Sequence, residues 1–351
     1  MTADVGEREI STGEGADRPP EERGIARDGV RLLVSTPEDE QHHDFRDLPE
    51  LLRPGDLMVV NESATVAASL PSRSRLGEFL VNLSTWYGGD LWVAEPRWGP
   101  GRPGPLPLVP GDDLEVGGVE CRVVAPYPGI PRLDFLRAGG DLTDAMKRVG
   151  RPIRYGYAAR EFPLECYQTE FARVPGSAEM PSASRPFTQS LLRRLRSSGV
   201  EFASILLHAG VSSLEFGDFP KGVSPVFPEP FEVPAPTVAA IRRARARGSR
   251  VVAVGTTVVR ALESATDSCG LRAARGFTRL YLHRERPVRS VDALLTGFHD
   301  ARSTHLALLE AFVGIHRLRR SYAVAAREGY LWHEFGDSHL ILGGPDGEAA
   351  Q

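Results

Sequence analysis

The segment Val251–Ser264, with the sequence VVAVGTTVVRALES, constrains the fold more than any other part of the chain. Four consecutive apolar residues bounded by glycine are typical of a short buried strand. Gly255 lets a ligand approach the backbone closely, and Thr256 and Thr257 are suited to cap a following helix. A strand, a glycine turn and a helix in this order predict an α/β fold. The turn offers free N–H groups to an anion or a polar head group, although many such turns bind no ligand.

The composition excludes several classes of protein. The length of 351 residues suits two domains, or one domain with a large insertion. No apolar run reaches the roughly 18 residues that a membrane span requires, and the polar, acidic N-terminus does not resemble a secretory signal. The three cysteines are far apart and odd in number. They argue against a disulfide framework or a zinc site and favour a reducing, cytoplasmic location.

Arginines are numerous, but they do not make the chain basic. The net charge at pH 7 is −4, and only two of the 42 basic residues are lysines. Arginines cluster in residues 193–196, 242–250 and 317–320. A solvated helix face explains any one of these clusters, whereas phosphate binding would require that the clusters share a face.

The pattern of elements divides the chain into three parts. Residues 1–26, rich in Gly, Glu, Pro and Arg, predict a disordered tail. Short strand-like runs and turns follow from about residue 76 to 124 and predict a β-barrel or sandwich. After Gly150, predicted helices alternate with predicted strands, the last of these at Phe277–Leu282. We therefore predict an α/β main domain formed by residues 27–71 and 151–345, with an inserted β-barrel-like domain at 72–150.

Several polar segments lie where ligand sites form in such folds. His208 and Gly210 follow the predicted strand that ends at Leu207, and open α/β sheets bind ligands at the carboxyl ends of strands. His299 precedes a helix that Ser303 and Thr304 open, and its pKa normally lies near neutrality. A structural hydrogen bond is an equally good explanation for His299.

Four motifs, in their order and spacing, resemble one known family, the S-adenosylmethionine:tRNA ribosyltransferase-isomerase family of queuosine biosynthesis. These motifs are YQTEFA (Tyr167–Ala172), GTTVVRALES (Gly255–Ser264), VDALLTGFH (Val291–His299) and FGDSHLIL (Phe335–Leu342). The resemblance extends from about Pro20 to Leu342.

The resemblance implies a reaction and its partners. The ribosyl group of S-adenosylmethionine is isomerised and transferred to 7-aminomethyl-7-deazaguanine in tRNA, which gives epoxyqueuosine and releases adenine and methionine. It implies no metal and no cofactor beyond S-adenosylmethionine as co-substrate, and no membrane partner. The expected proton carriers are His208 and His299, and Glu62 and Asp337 are carboxylate candidates for the ribose hydroxyls or the methionine ammonium.

The predicted substrate-binding residues come from the same motifs. Gly255, Thr256 and Thr257 are expected at the polar head of the ligand, and Arg260 and Glu263 form either a pair that shapes the pocket or a structural helix pair. The further predicted ligand contacts are Asn61, Tyr167, Gln168, Thr169, Gly210, Phe298, Ser303 and Thr304.

The chain departs from the family pattern in four segments, one of which is the strand end Leu207–Leu214, LHAGVSSL, where the family has LHVGxGTF. Pro186 in PSASRPF stands where the family has a histidine, and Ala64 and Ser69 in NESATVAASL replace two arginines. VFPE (Val226–Glu229) keeps its glutamate and lacks a histidine. Two alternatives therefore stay open: an S-adenosylmethionine-using enzyme with a small-molecule acceptor instead of tRNA, or a catalytically inactive nucleoside-binding paralogue.

Overall fold

A computed structural model describes residues 10–99, 102, 104–211, 226–301 and 303–343 of the chain. In chain order its strands are β1 Arg31–Ser35, β2 Glu40–Asp44, β3 Leu57–Asn61, β4 Ser63–Thr65, β5 Ser69–Ser74, β6 Gly77–Gly88, β7 Leu91–Arg97, β8 Asp113–Val116, β9 Val119–Pro126, β10 Asp134–Ala138, β11 Val174–Ser177, β12 Glu201–Leu207, β13 Glu229–Val233, β14 Val251–Val254, β15 Thr266–Asp267, β16 Gly270–Leu271, β17 Ala274–Thr278, β18 Ala293–Gly297 and β19 Ser338–Leu342. Its α-helices are α1 Leu48–Leu51, α2 Leu142–Val149, α3 Gln189–Ser197, α4 Ala235–Ala246, α5 Thr256–Ser264, α6 Thr304–Val313 and α7 Ile315–Arg327.

The main domain is built on a nine-stranded mixed sheet in the order β17-β13-β12-β3-β14-β18-β19-β1-β2. Four central strands, β12, β3, β14 and β18, run parallel. Successive residues of β3 face opposite sides of this sheet, because side chains alternate along a strand. Leu57 and Val59 join the core that contains α4 to α7, and Met58 and Val60 join the core that contains α1 and α3. Such apolar strands, buried on both faces, confirm the predicted α/β fold.

Parallel pairing brings the carboxyl ends of the four central strands to one edge of the sheet. This carboxyl edge carries Asn61, His208, Gly255 and Phe298, each at or just after the end of its strand. Strand β19 runs antiparallel to β18, and its Ser338 lies opposite Gly297. Segments that are far apart in the sequence therefore meet at the carboxyl edge.

The β-rich insertion is a closed antiparallel barrel in the order β10-β7-β6-β5-β8-β9. Its interior is filled by apolar side chains that include Leu70, Val81 and Leu136, and Leu142 of α2 packs against the same cluster. The structure thus confirms the predicted β-barrel-like insertion. The barrel strands begin at Ser69, slightly before the predicted limit of residue 72.

Two local predictions are wrong. The tail predicted to be disordered is packed from Ile10 onward: Ile10 and Ala16 are buried, and the Ala16 N–H donates to the carbonyl of Trp332 at 3.0 Å. The few apolar residues of this segment pack on the main domain. Residues 1–9 lie outside the described part of the chain. The strand predicted at Phe277–Leu282 ends at Thr278, where pairing with β13 stops. Within the described residues, no helix is both long and apolar enough to cross a bilayer.

A buried histidine in β19 makes the stability of the main domain sensitive to acid. His339 is 1% exposed and its ring stacks on Phe298, with 5.4 Å between the ring centroids. Neither ring nitrogen has a hydrogen-bond partner among the described residues. Burial lowers the pKa of His339 to about 3. Because the unfolded imidazole takes up a proton near pH 6.5, the stability present above this pH is lost as the pH falls toward 3.

We expect His339→Leu to reduce this acid sensitivity. Thermal unfolding of the wild type and the variant, measured from pH 8 to pH 4, should show a smaller drop in Tm for the variant below pH 6.5. The exposed His316 supplies the control, His316→Gln, which should follow the wild-type curve. If the Tm of His339→Leu falls with pH as steeply as that of the wild type, His339 is not the source of the acid sensitivity.

Candidate active site

A cavity of about 250 Å³ opens at the carboxyl edge of the sheet. It is somewhat smaller than the pockets of roughly 300–1,000 Å³ that hold drug-sized ligands. Its walls come from the turn between β14 and α5, the loop between β18 and α6, residues 179–183 and the turn before β19. The cavity therefore joins segments that the sequence motifs singled out separately.

The N-terminus of helix α5 forms one wall. Gly255 precedes the helix with a φ of 96°, a left-handed conformation that favours glycine. Thr256 and Thr257 line the cavity, but neither side chain caps the helix, contrary to the expected capping role. The Thr257 hydroxyl instead accepts a hydrogen bond from the Asn61 amide at 3.3 Å. The positive end of the helix dipole thus faces the cavity without a side-chain cap.

A buried ion pair between Arg260 and Glu229 lies beside this helix. The side chains are 12% and 5% exposed, and the second carboxylate oxygen of Glu229 accepts the Gly210 N–H at 2.8 Å. Arg260 also donates from Nε to the carbonyl of Leu280, whereas its buried Nη2 has no acceptor among the described residues. Since an unpaired buried donor is costly, this nitrogen is suited to bind a ligand oxygen.

The predicted pair of Arg260 with Glu263 does not form. One Glu263 carboxylate oxygen accepts the backbone N–H groups of Arg289 and Ser290, both at 2.6 Å. Arg260 turns to Glu229 instead, because a buried carboxylate attracts a guanidinium more strongly than a solvated neighbour on the same helix.

Two imidazoles lie together on the opposite wall. His299 Nε2 is 3.0 Å from the Thr296 hydroxyl, and the His299 and His305 ring centroids are 4.7 Å apart. Burial, and next the neighbouring His305, lower the pKa of His299 well below its usual value. His299 is therefore neutral at pH 7 and can accept a proton.

A pair of carboxylates that was not among the predicted site residues also lines the cavity. Burial, and next the negative charge of Glu179, raise the pKa of Glu334 to about 8, and Tyr157 hydrogen-bonds to Glu334. Tyr155 donates a hydrogen bond to Glu179. His333 stacks on Tyr157 at 4.1 Å and has a φ of 71°, which is rare for a residue other than glycine. Glu334 is thus a protonated carboxyl group in the cavity at neutral pH.

The comparison with known proteins identifies the family. A family model described as "Queuosine biosynthesis protein" matches residues 9–341. The chain belongs to this family. It is 41% identical over 342 residues to the S-adenosylmethionine:tRNA ribosyltransferase-isomerase of Thermus thermophilus, covering 92% of this chain and 97% of that one. The enzyme of the same name from Moorella thermoacetica is 38% identical over 345 residues, covering 95% and 98%.

A solved structure supports the same relationship. The crystal structure of the S-adenosylmethionine tRNA ribosyltransferase from Thermotoga maritima aligns with a TM-score of 0.50 at 27% identity. The alignment covers 96% of this chain and 98% of the other. The predicted resemblance to the queuosine biosynthesis family is thereby confirmed over nearly the whole chain.

Two of the four family motifs that the sequence singled out, GTTVVRALES and VDALLTGFH, reach the cavity. The predicted ligand contacts that line it are Gly255, Thr256, Thr257, Arg260, Phe298, His299, Ser303 and Thr304. Ser303 also caps α6 by accepting the N–H of Leu306 at 3.2 Å. Asn61 and Gly210 bind wall residues, Thr257 and Glu229. No group of three or more His, Cys, Asp or Glu side chains within the described ranges is arranged to hold a metal ion.

Three other predicted contacts hold the chain together outside the cavity. The Gln168 amide bonds to both the N–H and the carbonyl of Thr65, at 3.2 and 2.8 Å. The Tyr167 ring packs on Phe335, and the hydroxyl of the buried Thr169 accepts the N–H of Phe171 at 3.3 Å. The YQT motif thus ties its segment to β4, and the predicted ligand-lining loop is not found there.

Two predicted catalytic side chains also lie outside the cavity. His208 Nδ1 is 2.7 Å from the Ser63 hydroxyl, and burial lowers the His208 pKa. Glu62 forms an ion pair of 3.1 Å with the exposed Arg173. Both follow strand ends at the carboxyl edge, but their side chains bond to the β4 and β11 region.

Pro186, the residue that replaces a family histidine, is buried beside the cavity but does not line it. Its segment reaches the cavity through Pro181, Ser182 and Ala183. The described residues 226–229 lie at the cavity, whereas residues 212–214 of the altered strand end lie outside the described part.

Asp337 does not line this cavity, and its carboxylate binds the backbone and a neighbouring arginine. The side chain is 6% exposed and accepts the backbone N–H groups of Arg31 and Leu331, each at 2.9 Å. It also forms an ion pair of 2.9 Å with the Arg31 guanidinium. These donors occupy both carboxylate oxygens, so Asp337 fixes the turn that carries His333 and Glu334 into the cavity.

We expect Asp337→Asn to destabilise the protein by about 2–3 kcal/mol. The substitution replaces one acceptor oxygen by an NH2 group, which would face the N–H donors that the carboxylate binds. Urea unfolding measures the loss, and Asp113→Asn is the control, because Asp113 pairs with Arg122 on the exposed surface. Turnover per folded molecule should change less than tenfold at a temperature where both variants are folded. Full stability with abolished turnover would instead restore a catalytic role.

Proposed function

We propose that this protein transfers and isomerises the ribosyl group of S-adenosylmethionine onto 7-aminomethyl-7-deazaguanine in tRNA. The products are epoxyqueuosine in tRNA, adenine and methionine. One observation carries the proposal: the family motifs GTT and TGFH, which begin 41 residues apart at Gly255 and Thr296, converge on one cavity that also contains a neutral imidazole and a protonated carboxyl group. The names of the relatives from Thermus and Moorella support the same reaction.

The cavity offers complementary contacts for S-adenosylmethionine. In our proposal the uncapped N-terminus of α5 and the free Nη2 of Arg260 bind the methionine carboxylate. Glu229 limits the positive charge there and orients Arg260. The rings of Tyr157, Tyr281 and Phe298 line the cavity. Aromatic faces of this kind attract a sulfonium cation and stack on an adenine.

The protonation states of His299 and Glu334 suit the two proton transfers that the reaction needs. The sulfonium acidifies the C5′ hydrogens of the ribose, so the first step needs a base, and we assign this role to the neutral His299. Adenine leaves more easily when its nitrogen receives a proton, and we assign this donor role to Glu334. Each such general acid or base contributes roughly 10²–10⁴-fold to the rate.

Adenine release tests the proposed reaction directly. The purified protein is incubated with S-adenosylmethionine, with and without tRNA that carries the deazaguanine amine, and adenine is quantified. We expect release that depends on this tRNA. Release without tRNA would favour a small-molecule acceptor, and no release in either reaction, with retained ligand binding by calorimetry, would favour the inactive paralogue.

The pH dependence of Glu334→Gln tests the proton donor. Because the pKa of Glu334 is about 8, the wild-type rate should fall as the pH rises through 8 and the donor loses its proton. Glutamine keeps the shape but cannot protonate adenine, so turnover should fall at least about tenfold and the alkaline decline should disappear. Glu232→Gln, at a carboxylate that is 42% exposed, is the control. A wild-type rate and pH profile in Glu334→Gln would remove the residue from the mechanism.

A further inference from the structure

Several arginines of the clusters that stand out in the sequence already bind partners within the protein. Arg247 and Arg250 pair with Glu201 and Asp56, at 2.9 and 2.5 Å. Arg317 is buried and donates to the hydroxyl of Ser35 at 3.0 Å. A positively charged site has to be sought among other arginines.

A second cavity, of about 150 Å³, lies against the wall of the barrel. The strand register places Ser69 opposite Asn82, Asn82 opposite Glu95, and Leu80 opposite Arg97. The segment after α2 covers this wall, because the backbone N–H and carbonyl of Arg151 pair with those of Ser69, each at 2.9 Å. The cavity thus lies between the barrel and the chain that returns to the main domain, with the exposed side chains of Arg151 and Glu161 at its rim.

The charges around this cavity do not balance. Glu95 is fully buried and accepts hydrogen bonds from Arg97 at 3.3 Å and Arg132 at 3.1 Å. Arg151 pairs with Glu161 at 2.8 Å, and Arg154 donates to the backbone carbonyls of Ala158 and Ala159. The side chains that line the cavity thus include three guanidinium groups, those of Arg97, Arg151 and Arg154, and one carboxylate, that of Glu161. The excess positive charge is suited to an anion.

Arg97 has an unused donor. Its side chain is 6% exposed, and its buried Nε has no acceptor among the described residues. A buried N–H donor that lacks an acceptor costs free energy, which an anionic ligand at Nε would recover. The planar fork of arginine matches the oxygens of a phosphate group.

The second cavity adjoins the candidate active site through one side chain. The Arg97 guanidinium lies 5.8 Å from the centroid of the Tyr155 ring. Tyr155 lines the candidate active site and donates a hydrogen bond to Glu179. An anion in the second cavity would thus lie one aromatic ring away from a base bound in the first.

We propose that the second cavity binds a backbone phosphate of the RNA acceptor, next to the nucleotide that reacts. This inference rests on the proposed function and deepens it. S-adenosylmethionine carries no phosphate, whereas each nucleotide of RNA is flanked by two. Arg97 and Arg154 fix the position of the RNA strand, and the reacting base extends past Tyr155 into the candidate active site.

Binding of tRNA that carries the deazaguanine amine, measured over a range of salt concentrations, tests this proposal. We expect Arg97→Gln to raise the Kd for tRNA at least about tenfold at low salt. The slope of log Kd against log salt should fall by about one, as expected when one phosphate contact is lost. The Kd for S-adenosylmethionine should not change.

Two further variants make the result interpretable. Arg154 also lines the second cavity, so Arg154→Gln removes a second guanidinium from the site and should likewise weaken tRNA binding. This variant tests the site even if Arg97→Gln proves too unstable to measure. Arg73→Gln is the control, because Arg73 lies on the same barrel, is 68% exposed and pairs with Glu115. Its tRNA affinity should match that of the wild type.

The outcomes separate this proposal from the proposed function. Wild-type tRNA affinity and salt slope in folded Arg97→Gln and Arg154→Gln, while the wild type releases adenine with tRNA, would overturn the phosphate site alone. Inorganic phosphate that binds the wild type but does not compete with tRNA would assign the cavity to a free anion and likewise overturn it. A wild type that neither binds tRNA nor releases adenine with it would overturn both.

Discussion

The parallel pairing of β12, β3, β14 and β18 is the constraint on which the rest of the structure depends. Parallel strands place all their carboxyl ends at one edge, so residues that are more than two hundred positions apart meet there. Strand β19 enters the same sheet in the opposite direction and brings the turn with His333 and Glu334 to that edge. The candidate active site is thus a consequence of strand direction, and its side chains are fixed by a core that is buried on both faces.

Ion pairs and hydrogen bonds in a poorly solvated space hold the side chains at the carboxyl edge of the sheet. Glu229 binds both Arg260 and the Gly210 N–H, and it thereby links α5 to the ends of β12 and β13. The same poor solvation lowers the pKa of His299 and raises that of Glu334, because it disfavours the charged form of each group. Burial keeps His299 neutral and Glu334 protonated. One environment therefore prepares a proton acceptor and a proton donor in the same cavity.

The sequence predicts local features well and long-range partners poorly. The strand, turn and helix around Gly255 follow from apolar runs and glycine, which act over a few residues, and the α/β fold with its barrel follows from the same signals. The partner of Arg260 is 31 residues away, so helix spacing suggested Glu263 instead. Asp337 and Gln168 have the chemistry of ligand contacts, yet their hydrogen bonds hold the backbone. Glu334 had a weak signal, a His-Glu pair directly before the FGDSHLIL motif, but its raised pKa comes first from burial and then from Glu179, and only the fold supplies both.

The segments in which the sequence departs from the expected family pattern reach both cavities, since residues from 181–183 and from 226–229 line the candidate active site and Ser69 lines the second cavity. Pro186 is not among the residues that line the candidate active site within the described part, whereas the GTT and TGFH motifs are. Ser69, which replaces a family arginine, lines the second cavity, where Arg97, Arg151 and Arg154 also lie. A serine in place of an arginine at position 69 reduces the positive charge of this cavity without removing it, because three guanidinium groups and one carboxylate still line it. Divergence at this position therefore bears on how the acceptor is held, and much less on the chemistry of S-adenosylmethionine.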